Sequence, residues 1–396
     1  TDSFDNNDGG VTFDLGSGVD SHIRTGESDG DNSFHNVTVL LNAAARTLAL
    51  RPNGGSAMTI EGNLTISEGK FYQYNDNYSL TVNGNVEVHS GGELGLSSTT
   101  GAISFGSLSI DAGGTHVATS GTTEITSAAS NYAVTNNGTL THNNGTFQIT
   151  GGSNQWLRGT GSGAYYNLIS NNGSSLGMGV GANLSVANDL TINASKKLGF
   201  VSAQYNLTVT GDCIVNGTFT TSTTPTGAHG FGSLTIASGG TYTATNGTTT
   251  ITSENSSNQA FWNEGTFTHN NGKVVIDTEG NNHTTVKSTT FYDLEVNMTN
   301  STREVKFRPY SGTHSEILNN FTLTQGIYEM HADGDTLDIY GLTTIEANGQ
   351  FLKDAEHTGL VTHHGLVTNR GNYMLKDGVT VKMNGGFRQL GTFTTP

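Results

Sequence analysis

The stretch FGSLSIDAGGTHVATSGTTEITS, beginning at Phe105, returns with few changes as FGSLTIASGGTYTATNGTTTITS, beginning at Phe231, 126 positions later. A chain that repeats over such a length builds equivalent layers from equivalent residues, so the repeat is the first constraint on its fold. Other pieces recur around it. YYNLI at Tyr165 matches FYDLEV at Phe291, and an earlier FHNVTV stands at Phe34. GNLTI (62–66), NDLTI (188–192) and NNFTL (319–323) form one family; SLTVNG (79–84), NLTVTG (206–211) and TLDIYG (336–341) form another. Three long units follow: 34–164, 165–290 and a shorter, diverged 291–396. Residues 1–33 read as the end of a preceding unit, since GGVTFDLGSGVDSHIRTG (9–26) resembles NGKVVIDTEGNNHTTVKS (271–288).

Within each unit, short β-branched stretches alternate apolar and polar residues, the period of a half-buried strand. NG, GG and NNG turns separate them. No stretch carries helical periodicity. The xLTI motifs recur at roughly the length of one solenoid rung, and no Pro-rich or charged linker interrupts the series. The chain is therefore expected to be all-β, a parallel β-solenoid (β-helix) with five or six rungs per long unit. A string of tandem β-sandwich domains is the alternative. Alternation names the inward pairs: Leu64 with Ile66, Leu80 with Val82, Val86 with Val88, Leu108 with Ile110, Leu190 with Ile192, Leu207 with Val209, and Leu234 with Ile236. Thr and Ser between them suit a hydrated β surface.

Composition narrows the functional classes. Charged residues are 13% of 396, with 17 Lys plus Arg against 33 Asp plus Glu and a net charge of −16. No basic run could neutralise a phosphate backbone, which argues against nucleic acid as a partner. No apolar run reaches the roughly 18 residues of a membrane helix. The single Cys213 excludes an intrachain disulfide. It stands where the first unit has Val86 and reads as a small core residue. The chain opens on Thr rather than Met, without a signal peptide, and is read as a processed product or an excerpt. Neither terminus looks like the polar cap a solenoid needs, so both ends are expected to continue into, or pack on, other protein.

Several residues could carry chemistry. LTHNNG (140–145) and FTHNNG (267–272) place His142 and His269 at equivalent points, with VTNRG (367–371) as their match in the third unit. The motif has no further metal ligands at a recognised spacing and reads as a stacked turn whose Asn and Gly tolerate left-handed backbone. His116 is replaced by Tyr242 in its repeat mate. Asp354, Glu356, His357, His363 and His364 form the densest titratable cluster, and paired carboxylates there could hydrolyse a glycoside. Asp29, Asp31, Asp333 and Asp335 could ligate Ca²⁺, a hard ion that prefers carboxylates, although their spacing is not that of an EF-hand loop and an acidic turn explains them as well. No other cofactor is implied. Trp156, Tyr165, Tyr166, Trp262, Phe291 and Tyr292 sit near unit boundaries, either as packing anchors or as platforms for sugars. The 16 Asn-x-Ser/Thr sequons follow from composition.

GTFTHNNGKVVI (265–276) and TTFYDLEV (289–296) together resemble a repeat found in structural proteins of marine bacteriophages and in secreted, adhesin-like bacterial proteins. There a THNNGTVxF strand pair leads to a TFYNLTV strand. The resemblance covers most of the chain and departs at VTNRGNYML (367–375). It implies a non-enzymatic structural protein of a virion or cell surface, expected here as an extracellular β-solenoid rod, such as a phage fibre component, that spaces or presents binding surfaces. Self-assembly, or contact with neighbouring virion or surface proteins, is the expected partnership, with a host-surface glycan or receptor as a further possible one. A bacterial adhesin or filament subunit and a tailspike-like polysaccharide-degrading β-helix are the alternatives.

Overall fold

A computed structural model describes residues 9–15, 21–23, 33–51, 57–74, 78–97, 100–152, 155–172, 178–200, 202, 204–220, 226–279, 283–287, 289–308, 314–331, 333–352 and 358–395. The chain divides into two compact units, Thr1–Val201 and Ser202–Pro396. Each is a parallel β-solenoid. The described residues contain strands and turns and no helix.

In the first unit each strand bonds to the strand one rung later. Val37 pairs with Leu64, Leu64 with Val86, Val86 with Leu108, Leu108 with Val134 and Val134 with Leu157. All six are buried, so one register column is a continuous apolar stack. A second column runs Ile60, Val82, Phe105, Ile125, Ile149. The second unit repeats the scheme with Val209, Phe231, Ile251, Ile276, Val296, Leu323 and Ile345. Beside it runs Leu234, Phe261, Val286, Phe307, Met330. Every inward pair named from alternation is buried. Side chains of this kind contribute roughly 1.5–3 kcal/mol each when fully buried, which is how a chain without disulfides holds such a narrow core.

The corners are close contacts of main chain with main chain. A Cβ on Gly84 would lie 2.5 Å from the Gly62 carbonyl oxygen, and one on Gly106 would lie 2.5 Å from that of Asn83. Alongside runs a polar ladder: Asn63 N donates to Asn36 Oδ1, Asn85 N to Asn63 Oδ1 and Ser107 Oγ to Asn85 Oδ1, each at 2.8 Å. The Asn63 and Asn85 backbone N–H groups at the bends are thereby paired.

The repeated THNNG stretch is a corner of another kind. Asn143 and Asn144 hold φ of 46° and 59°, and Asn270 and Asn271 hold 48° and 58°. The histidine closes the turn: Asn144 N donates to His142 Nδ1 at 3.0 Å and Asn271 N to His269 Nδ1 at 3.0 Å. The motif is a turn, as its residues suggest, yet its His is part of the turn. The assignment of VTNRG (367–371) as the third copy does not hold. Gly371 packs on the carbonyls of Glu346 and Gly349, just as Gly138 packs on those of Asp111 and Gly114 and Gly265 on those of Ala237 and Gly240. VTNRG therefore stacks like VTNNG (134–138), seven residues before the His-containing Gly145 turn. Spacing alone had slipped the alignment by one corner.

Candidate functional site

Asp354, Glu356, His357, Asp29 and Asp31 lie outside the described residues. The remaining members of those two groups are separated by strand geometry. His363 ends the strand Gly359–His363 pointing inward, fully buried, while the adjacent His364 is half-exposed. Burial holds the His363 imidazole down to about 4; it hydrogen-bonds Thr343 Oγ1 at 2.8 Å and the Tyr373 hydroxyl at 2.9 Å. Successive residues face opposite sides of a strand, so these two His serve different environments. Asp333 is exposed and accepts from Thr358 N at 2.7 Å, whereas Asp335 is buried. Among the described residues no group of three or more His, Cys, Asp or Glu is placed to hold a metal ion.

His364 belongs to a surface row. Its ring lies flat on Tyr340, 4.6 Å away at 4°, and its Nε2 donates to Asp338 Oδ1 at 2.9 Å. Glu316 stands 3.2 Å from His314 Nε2 on the neighbouring strand. Leu342 and Leu366 are exposed beside the row. Each ring covers one face of the other, and Tyr340 remains 45% exposed.

Other sequence candidates are structural. Cys213 is fully buried, and burial pushes its thiol far above the ordinary range, which disfavours the thiolate a nucleophile needs. His116 is buried between Phe105 and Phe147, its Nδ1 on the Leu94 carbonyl at 3.1 Å. Tyr242 turns its hydroxyl to His229 Nδ1 at 2.8 Å. Tyr165 and Phe291 are buried anchors, and Tyr166 and Tyr292 pack on the turn histidines His142 and His269.

One concavity combines shape with charge. In the first unit Leu140, Leu157, Tyr165, Val180 and Leu184 wall a cavity of about 60 Å³, with Arg158 at its edge. The segment GTGSGA (159–164) forms the rim. It runs so close to the previous rung that side chains at Gly159 and Gly163, with φ of 128° and 100°, would overlap the carbonyls of Asn136 and Leu140. Arg158 is held in place: its guanidinium lies 3.2 Å over the Tyr132 ring and Nε donates to Thr135 Oγ1 at 3.3 Å. Among the described residues no carboxylate lies within ion-pair range of it. In comparisons with family models, curated proteins and solved structures, nothing matches this chain.

The sequence reading passed over Arg158 and this cavity. The signal was a length difference: seven residues (158–164) separate Leu157 from Tyr165, while four (287–290) separate Val286 from Phe291.

Proposed function

We propose that this chain is a non-enzymatic structural protein of an extracellular or virion surface, a β-solenoid spacer of the phage fibre type that presents outward side chains on a repeating core. The observation that carries the reading is the register: rung after rung, in each unit, places an apolar residue over an apolar residue and bonds bend to bend. Such a stack adds about 4.8 Å per rung. An acidic, hydroxyl-rich exterior also suits a particle surface.

Two measurements test the proposal. Limited proteolysis of residues 1–396 should leave the chain largely intact at protease levels that digest ordinary multidomain proteins, and antibody labelling in electron micrographs should place it on the exterior of a virion or cell. Rapid digestion at many sites, or an interior location, would overturn it.

A further inference from the structure

One corner of the second unit exposes apolar side chains where the matching corner of the first is polar. TLDIYG (336–341) repeats SLTVNG (79–84), so Tyr340, Gly341 and Leu342 stand where Asn83, Gly84 and Asn85 do. The main chain is alike in both: a Cβ on Gly84 would strike the Gly62 carbonyl, and one on Gly365 would strike that of Gly341. The decoration differs. In the first unit Asn63 and Asn85 carry the polar ladder from rung to rung. In the second, Leu342 N donates to Asn320 Oδ1 at 3.0 Å, but Leu342 and Leu366 have no amide to pass the ladder on. Leu342 is 54% exposed and Leu366 39%, beside the exposed Leu318 and Tyr340. The corner gives up ladder bonds, places apolar side chains in water and gains no burial within the chain. A contiguous apolar ridge of this kind marks a contact surface.

We infer that this face pairs with the same face of a second copy of the chain, the two copies running antiparallel about a two-fold axis. The distribution of charge argues for that occupant. On one flank of the corner, successive rungs carry Glu316, Asp338, Thr362 and Lys382 in register. On the other flank, Glu346 stands beside Arg370, 2.8 Å away on the next rung. Tyr340 with His364, and Leu342 with Leu366, occupy adjacent rungs between them. A two-fold axis between the rungs of Leu342 and Leu366 exchanges those rungs. It sets Leu342 against Leu366 of the second copy, Tyr340 against His364, Glu346 against Arg370 and Glu316 against Lys382. At these four places apolar meets apolar, ring meets ring or acid meets base, the self-complementarity that an isologous contact requires. A chain of net charge −16 repels its own copies in general, so pairing is confined to a face that carries both signs. The face spans five rungs about 4.8 Å apart and four outward columns about 6.8 Å apart. Two such faces bury on the order of 1,000 Å², the low end for a specific association. The inference goes beyond the spacer reading and holds or fails whatever surface the chain belongs to.

Sedimentation velocity of the full chain at rising concentration tests the pairing. A monomer–dimer equilibrium is expected, with a Kd on the order of 10 μM for a face of this size, and no larger species. Leu342→Asn together with Leu366→Asn, which gives the corner the asparagines of the first unit, should weaken the dimer at least tenfold with the melting curve retained. Within one chain Glu316 and Lys382 stand three rungs apart, about 14 Å, too far for an ion pair. Glu316→Lys or Lys382→Glu alone should therefore weaken the dimer several-fold, and the two together should restore it, which only contact between copies allows. A monomer at all concentrations overturns the inference and leaves the ridge to another partner. So does a dimer that survives the asparagine pair, or a series of ever longer species, which is association through other surfaces. Where the asparagine variant fails to fold, the charge exchange decides the matter, and absence of rescue overturns the inference. Proteolytic resistance is unaffected by these outcomes, so the spacer proposal stands or falls separately.

Discussion

Residues 132–165 and 259–291 start from nearly the same sequence and close the same bend in two ways. In the first, three extra residues, all within a glycine-rich run, lift the chain around a cavity and leave Arg158 stacked on Tyr132. In the second, the shorter link brings Phe267 and Phe291 together, and Glu264 pairs with Lys287. The core columns below are the same in both. A solenoid corner can thus differ between copies while the stack beneath it keeps its register.

Acid should separate the two units most strongly. His116 in the first unit, and His229 and His363 in the second, are each held down to about 4 by burial. A folded pKa below the unfolded value near 6.5 means that the native state keeps the ring neutral. The stabilisation is complete above about pH 6.5 and is lost as pH falls from there toward 4, about 3 kcal/mol per His at the limit. Hydrogen exchange on acidification should therefore rise around 229–251 and 343–373 before 103–125; the reverse order would show that burial of these rings is not what sets acid stability. Next in size, Gly159→Ala should cost about 3 kcal/mol or more, because the new Cβ overlaps the Asn136 carbonyl at a φ of 128°. A denaturant midpoint equal to that of the unsubstituted chain would mean the rim is not packed as described. Smaller still, Phe267→Leu, which copies the first unit into the second, should cost about 1–2 kcal/mol by opening space among Phe261, Phe267 and Phe291. Calorimetry would show whether the ring is needed. Smallest, Glu264→Gln removes a carboxylate whose pKa is held down by its hydrogen bonds from Lys287 and Trp262, yet the pair is exposed, and the melting temperature should not move measurably.

Much of this was legible in the amino-acid pattern. Alternation named Leu64, Ile66, Val86 and Val88 as core because a strand offers only two faces, and self-similarity made stacking more economical than separate sandwiches. Cys213 was legible because its place in the repeat belongs to Val86. What pattern could not supply was the third dimension of a corner. THNNG and VTNRG share an Asn and a final Gly, and only the carbonyls beneath each glycine distinguish them. The neighbours His363 and His364 looked like one cluster in the chain, but a strand sends them to opposite sides. Arg158 gave no motif at all; its interest lies in what fails to stand beside it, and that is a property of the fold.

The glycine columns of the corners have one more consequence. Because peptide rests on peptide there, the pitch of the coil is set by main-chain dimensions and is indifferent to what decorates the outside. The outward row Thr81, Ser104, Glu124, Gln148, Ile169 already mixes hydroxyl, acid, amide and alkyl side chains on paired strands without breaking register. Such a surface is free to diversify: selection can rewrite the exterior one rung at a time, on a chassis whose dimensions it never has to renegotiate.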